Sequence, residues 1–227
     1  MVDHDSHGHR ARLRERFRRG GIASFHDHEI LEFLLTFVIP KSDTKPLAKR
    51  LLARFGSIGA VLGADAEQLT EVKGIGERAA MLLTLVRELA AYSLREQVHQ
   101  RCAFTNRRDV EEYLRMAFGG RRDEYVAVLF LDTANRILSA EVIAEGTVNQ
   151  CVIYPREVVR KALAAGSSGM ILAHNHPAGT LHPSEADWSL TNKLHEIGRL
   201  LDIPLLDHLI VCRDQVQGLR EMPRWPR

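Results

Sequence analysis

The stretch AHNHPAGTLHPSEAD, residues 173–187, follows a short apolar run, GMILA, and leads into a helical pattern. In extended backbone, residues i and i+2 point to the same side, so His174 and His176 project together from the end of a strand. The prolines and glycine of residues 177–183 fold the chain back and bring Asp187, in the first turn of the next helix, to the same point. Two imidazoles and one carboxylate leave a fourth zinc position open, which is typical of a catalytic site rather than a structural one.

A second interpretation of this stretch involves no metal. Ser184 and Asp187 have the spacing of a capping box, in which a hydroxyl residue precedes a helix and an acidic residue follows three positions later. Capping would explain these two residues, but it leaves the paired histidines without a reason. The two roles are compatible, and we predict one zinc ion per chain, held by His174, His176 and Asp187.

The composition of the whole chain is that of an ordinary globular protein. Its 227 residues indicate one or two domains, and its formal net charge of +2 means that any affinity for nucleic acid must come from a local patch. The basic run at residues 10–19 is either a phosphate-contacting arm or a solvated helix face. The three cysteines, Cys102, Cys151 and Cys212, lie far apart, which argues against disulfides and favours a reducing cytoplasm. No apolar run approaches the ~18 residues of a membrane span, so we expect no membrane partner.

Hydrophobic periodicity divides the chain into two predicted domains. We predict a helical domain over residues 1–95, a charged linker over 96–108 and a second domain over 109–227. The second domain has the order β-β-α-β-α-β, which predicts an α/β fold with a mixed sheet flanked by helices.

The stretch VKGIGERAAMLL, residues 72–83, places a Gly-x-Gly turn between two predicted helices. Gly74 and Gly76 permit close backbone approach, and the second helix aims its N-terminal amides outward as an anion site. Lys73 and Arg78 add positive charge. The pattern resembles a helix-hairpin-helix motif, which grips the DNA backbone without reading sequence. The alternative is a packing hairpin that binds no DNA or contacts a protein.

The spacing H-x-H-x7-S-x2-D of residues 174–187 is the JAMM signature of MPN+/JAB1 metalloproteases, and this loop matches it at every position. The resemblance implies that His174, His176 and Asp187 are zinc ligands. It also implies that the hydroxyl of Ser184 helps to hold the tetrahedral oxyanion.

The same resemblance implies a glutamate general base at the start of an early strand. Glu124, in the stretch DEYVAVLFL, occupies that place and would take a proton from zinc-activated water and pass it to the leaving amine. Glu141, Glu145 and Glu157 are alternatives that the sequence does not exclude.

Over nearly its whole length the chain resembles the RadC family (UPF0758), in stretches such as GIASFHDHEILEFLL, FLDTANRIL, HNHPAG and LLDHLIV. The resemblance implies a helix-hairpin-helix region followed by a JAB domain of cytidine-deaminase-like α/β build. The chain departs from the family pattern at Tyr154, where a histidine is usual, at Ala178, where a serine is usual, and after the last strand, where an SF segment is missing. His208 is familiar in the family, but a histidine in an apolar strand is more often a core residue, so we leave it outside the site.

These features predict a zinc-dependent hydrolase, a metallopeptidase or isopeptidase that acts on an amide bond of a protein or peptide. The alternative is a DNA-associated protein, linked to repair or recombination, whose hairpin binds the DNA backbone and whose metal domain acts on or near nucleic acid. Nucleases of that type usually hold two metals with carboxylates, which favours the first hypothesis. An interaction scaffold with a vestigial site is disfavoured because all the ligands are present, and a zinc deaminase because paired cysteines are absent.

Overall fold

The computed structural model describes residues 4–40, 42–98, 107–146 and 153–226. The chain divides into two compact units, Met1–Arg87 and Glu88–Arg227. Most of the predicted linker, residues 99–106, lies outside the described residues, as do Cys102 and Cys151. Within the described ranges, no helix combines the length and the apolar character needed to cross a membrane.

The first unit is helical. Its helices are α1 (His4–Gly20), α2 (Asp27–Leu35), α3 (Lys45–Phe55), α4 (Ile58–Gly63), α5 (Ala66–Thr70) and the first part of α6 (Glu77–Val98), with a short 3-10 turn at Ile22–Ser24. As the sequence predicts, α3 carries Pro46 in its first turn and ends at Gly56, whose φ of 88° suits a residue without a Cβ. The apolar faces of α2, α3, α4, α5 and the first part of α6 meet in one core, in which Leu31, Leu51 and Leu83 are fully buried.

The second unit is an α/β domain. Its elements after α6 are α7 (Arg107–Phe118), β1 (Glu124–Leu131), β2 (Ile137–Gly146), α8 (Pro155–Ala164), β3 (Gly169–Asn175), α9 (Glu185–Leu200), β4 (Leu205–Val211) and β5 (Val216–Gly218). The strands form one sheet in the order β2-β1-β3-β4-β5. Strands β3 and β4 are parallel and the other pairs are antiparallel, so the sheet is mixed, as predicted.

The middle of this sheet is buried on both faces. Along β1, Leu129 packs in the core that includes α7, whereas Val128 packs in the core that includes α8 and α9. In β3, Ile171 packs in the core that includes α7, and Leu172 packs in the core that includes α8 and α9. Burial on both faces explains why these strands read as continuous apolar runs rather than alternating patterns. It also makes β3 a rigid support for the residues at its carboxyl end.

Candidate metal centre

The two predicted histidine ligands are anchored at the carboxyl end of β3, between two neighbouring strands. His174 is 5% exposed and pairs in register with Val126 of β1 and Ile210 of β4. His176 lies just beyond the strand, where its backbone N–H donates to the carbonyl of Val211 over 3.0 Å. The extended backbone therefore holds both imidazoles on the sheet face that α9 covers.

The structure brings the three predicted ligands together. The Nε2 atoms of His174 and His176 lie 2.8 Å apart, and they lie 3.2 and 3.5 Å from the two carboxylate oxygens of Asp187. Ligands about 2.0 Å from a tetrahedral zinc are separated from one another by about 3.3 Å. The observed separations bracket that value, so the three residues are close enough to hold a single metal ion.

Opposite charges stabilise one another within this group. Burial alone would raise the pKa of the Asp187 carboxyl, but hydrogen bonds with His174 and His176 outweigh it and hold that pKa well below its ordinary value. The hydrogen bond with Asp187 raises the pKa of His176, against the opposing effect of burial. Asp187 is therefore held as the carboxylate, which is the form that binds a cation.

Ser184 both caps α9 and contacts a predicted ligand. Its hydroxyl oxygen accepts from the Asp187 backbone N–H over 3.1 Å, and its backbone N–H donates to Asp187 Oδ2 over 2.7 Å. The same hydroxyl donates to Asp187 Oδ2 over 2.6 Å. The predicted capping box is therefore present, and it fixes the direction of the carboxylate. The Ser184 hydroxyl must leave Asp187 before it can donate to a substrate oxygen.

A cavity of about 640 Å³ opens beside the three ligands, and Glu124 lies on its wall. Among the described residues that line the cavity, Glu124 is the only glutamate. The three alternatives are engaged by other side chains: Glu141 by Lys161, Glu145 by the Tyr125 hydroxyl and Glu157 by Arg160. The geometry therefore favours Glu124 over its alternatives as the base.

Asn175 ties the start of β1 to the end of β3. It is 1% exposed, its Oδ1 accepts from the Tyr125 backbone N–H over 2.7 Å, and its Nδ2 donates to the Asp123 carbonyl over 3.0 Å. These two bonds flank Glu124 and fix its backbone beside the histidines. Asn175 was not predicted from the sequence, although it lies between the two histidines.

His208 is a buried core residue, as expected from the sequence, and it also contacts one of the three grouped ligands. Its Nε2 lies 2.8 Å from His174 Nδ1, and its Nδ1 lies 2.7 Å from the Thr191 hydroxyl of α9. The ring is 0% exposed, and burial, reinforced by the charge of His174, lowers the pKa of His208 well below its ordinary value. The sequence did not reveal this contact because it depends on β4 lying next to β3 in the sheet.

Two family models match the chain. The RadC-like JAB domain matches residues 104–224, and the UPF0758 N-terminal model matches residues 6–81. The chain belongs to the RadC (UPF0758) family. This confirms the predicted family and, with the observed elements, the predicted fold class: a helical region followed by a JAB domain with a mixed sheet.

Three RadC-family relatives, each named only as a UPF0758 protein, match most of the chain. The protein of Rhodobacter capsulatus is 42% identical over 208 residues, which cover 92% of this chain and 97% of that protein. The protein of Methylibium petroleiphilum is 40% identical over 210 residues, with coverages of 92% and 95%. The protein of a Polaromonas species is 37% identical over 212 residues, with coverages of 93% and 95%.

Of the two residues that depart from the RadC pattern, Ala178 lines the cavity and Tyr154 does not. Ala178 lines the cavity, so the missing hydroxyl belongs to the wall of the candidate site. Tyr154 lies at the N-cap of α8, where it is 53% exposed and stacks with Arg156. Neither residue is among the three grouped ligands.

The predicted hairpin of the RadC N-terminal region is a turn between α5 and α6, and all four of its predicted DNA contacts, Lys73, Gly74, Gly76 and Arg78, are exposed. Gly74 has a φ of 94°, and a Cβ at this position would lie 2.6 Å from Leu47 Cδ2. Gly74 is therefore required by the fold. A Cβ on Gly76 would have no neighbour within 4 Å, so the space beside Gly76 is open.

Proposed function

We propose that the C-terminal unit is a zinc-dependent hydrolase that cleaves an amide bond of a protein or peptide. The observation that carries this proposal is the convergence of His174, His176 and Asp187 on one wall of a cavity that also contains Glu124. Two imidazoles and one carboxylate suit a single zinc with an open position. When bound, zinc lowers the pKa of a coordinated water to about 7 and polarises a substrate carbonyl.

The side chains of the cavity have distinct tasks in this proposal. Glu124 accepts a proton from the attacking water and delivers it to the leaving amine, which would otherwise leave as an unstable anion. The Ser184 hydroxyl, once released from Asp187, donates a hydrogen bond to the oxygen that becomes negative in the transition state.

The cavity wall supports an amide substrate more than a phosphodiester. Val126, Ile153, Pro155 and Leu190 give the cavity an apolar lining that suits a peptide side chain. Among the described residues, a single group of three potential metal ligands is close enough to share an ion. Two-metal nuclease sites need more carboxylates than this group supplies.

Metal removal tests this function. The zinc-loaded chain should cleave members of a fluorogenic peptide library, chelation should stop cleavage, and added zinc should restore it. Asp187→Asn, purified in the same way, should be inactive, which excludes a contaminating protease. Equal cleavage by Asp187→Asn, or cleavage of DNA instead of peptides, would contradict the proposal.

We also propose that the hairpin binds DNA without reading its sequence. Lys73 precedes α6 and Arg78 lies in its first turn, and both side chains are exposed. The leading amides of this helix have no acceptor inside the helix. The open space at Gly76 allows a phosphate to approach these amides. Glu77 opposes this attraction, so the two cations must outweigh one carboxylate.

Removing the two hairpin cations should weaken DNA binding and its dependence on salt. Each phosphate contact contributes about 0.9 to the slope of log affinity against log salt. The slope of the double variant Lys73→Ala, Arg78→Ala should therefore be shallower than that of the wild type by about 1.8. The measurement is fluorescence anisotropy with a labelled duplex over a range of salt. The double variant Arg199→Ala, Arg213→Ala removes equal charge from the other unit and should keep the wild-type slope. An unchanged slope in the hairpin variant, or no binding by the wild type at low salt, would refute this proposal.

A further inference from the structure

A buried chain of hydrogen bonds connects the side chain of one predicted ligand to the backbone of another. His174 Nδ1 lies 2.8 Å from His208 Nε2, His208 Nδ1 lies 2.7 Å from Thr191 Oγ1, and Thr191 Oγ1 lies 2.7 Å from the Asp187 carbonyl oxygen. Both His208 and Thr191 are 0% exposed, and His174 is 5% exposed. The chain thereby joins β3, β4 and α9 behind the metal site.

The proton positions in this chain follow from its geometry, beginning at Thr191. Two oxygens 2.7 Å apart need a hydrogen between them, and the Asp187 carbonyl has none to give. The single hydroxyl hydrogen of Thr191 therefore points at Asp187. The hydroxyl oxygen can then only accept from His208, so His208 carries a proton on Nδ1.

Because His208 carries a proton on Nδ1, its other nitrogen, Nε2, is unprotonated unless the ring is charged. No carboxylate among the described residues forms a hydrogen bond with the fully buried ring, so a second proton would be an uncompensated buried charge. The Nε2 atom of His208 therefore keeps its lone pair and accepts from His174 Nδ1. With its Nδ1 proton given to His208, His174 can release any proton on Nε2, the atom that faces His176 and Asp187, and present a lone pair there when a cation binds.

We propose that His208 and Thr191 are positioning residues that hold His174 in the Nδ1–H tautomer, so that its Nε2 is available to a metal. This inference rests on the metal site proposed above. The tautomer of His176 is set by a single contact with the backbone. His176 Nδ1 lies 2.7 Å from the Thr180 carbonyl oxygen, which can only accept, so His176 carries a proton on Nδ1. Outer hydrogen bonds of this kind orient metal ligands and set their tautomer.

Loss of the Thr191 hydroxyl should lower the affinity for zinc, and not only the stability of the fold. In Thr191→Val, His208 has no acceptor for its Nδ1 proton and can move that proton to Nε2. His208 would then donate to His174 Nδ1 and force the His174 proton onto Nε2, where zinc must bind. We expect zinc affinity about 10–100-fold below wild type in Thr191→Val, and near wild type in Thr191→Ser, which keeps the hydroxyl.

The experiment measures zinc affinity at fixed pH by competition with a chromophoric chelator, and histidine tautomers by long-range ¹H–¹⁵N NMR. His208 should be the Nδ1–H tautomer in the metal-free wild type, and His174 the Nδ1–H tautomer when zinc is bound. Thr191→Val should show His208 with a proton on Nε2. A merely structural role would lower the melting temperature of the metal-free protein and leave these tautomers unchanged.

A second pair of variants covers the case in which Thr191→Val does not fold. The amide of His208→Gln can accept from His174 and donate to Thr191, so this variant should bind zinc more tightly than His208→Leu. Equal zinc affinity within either pair of variants, or His208 protonated on Nε2 in the wild type, would overturn the inference. If the wild type binds no zinc, the proposed function fails, whereas the metal-free NMR spectrum still decides whether the hydrogen-bond chain exists.

Discussion

Replacing His174 with alanine should remove stoichiometric zinc from the protein. The loss in affinity should exceed about 100-fold, because outer hydrogen-bond partners of a metal ligand already account for 10–100-fold. The physical reason is that His174 is one of the three ligands grouped among the described residues, and that it is fixed by β1 and β4 on either side. Elemental analysis after dialysis and a chelator competition titration measure the effect. The wild type should hold about one zinc per chain.

A matched control for this variant lies in the loop between β3 and α9. His182 lines the same cavity, but it is not a member of the three-residue ligand group. His182→Ala removes an imidazole of the same kind and should keep the zinc content of the wild type. Full zinc content in His174→Ala, or an equal loss in His182→Ala, would show that the metal is not held where the geometry places it.

The parts of this site that the sequence could predict are those set by local geometry. The alternation of side chains along a strand put His174 and His176 on one side, and the capping-box spacing put Asp187 in the first turn of α9. The surroundings of the site depend on which strands are neighbours. His208 reaches His174 only because β4 pairs with β3, and no spacing along the chain encodes that pairing.

The fold shows the same division between local and non-local information. Continuous apolar runs predicted β1 and β3, because both strands are buried on two faces. The sequence did not predict β5, which has three residues, too few for a periodic pattern. The register of β5 comes from its pairing with β4, where Leu209 lies opposite Gly218. Tertiary contacts, rather than local preference, define this last strand.

The Asn175 bridge connects the ligands to the proposed base. Because the Asn175 side chain bonds to the backbone on both sides of Glu124, the end of β3 and the start of β1 cannot separate without breaking these two part-buried hydrogen bonds. Pre-organisation of this kind matters most for a general base, since proton transfer requires heavy-atom distances near hydrogen-bond length. Glu124 is therefore positioned by the same element that carries the histidines.

Replacing Glu124 with glutamine should remove catalysis and leave the metal in place. General-base catalysis contributes about 10²–10⁴-fold, so cleavage of a peptide identified with the zinc-loaded wild type should slow by that factor. Glutamine preserves the size of the side chain but is not an effective base. Zinc content should stay near one per chain, because Glu124 is not among the three grouped ligands.

Glu145→Gln is the matched control for this prediction, since Glu145 lies opposite Tyr125 on the paired strand and bonds to the Tyr125 hydroxyl. That variant should keep most of the wild-type rate. The reverse result, with Glu145→Gln inactive and Glu124→Gln active, would move the base to β2 and away from the cavity wall. Loss of zinc in Glu124→Gln would instead make Glu124 a ligand, and the open position that the hydrolase proposal needs would then be filled by the protein.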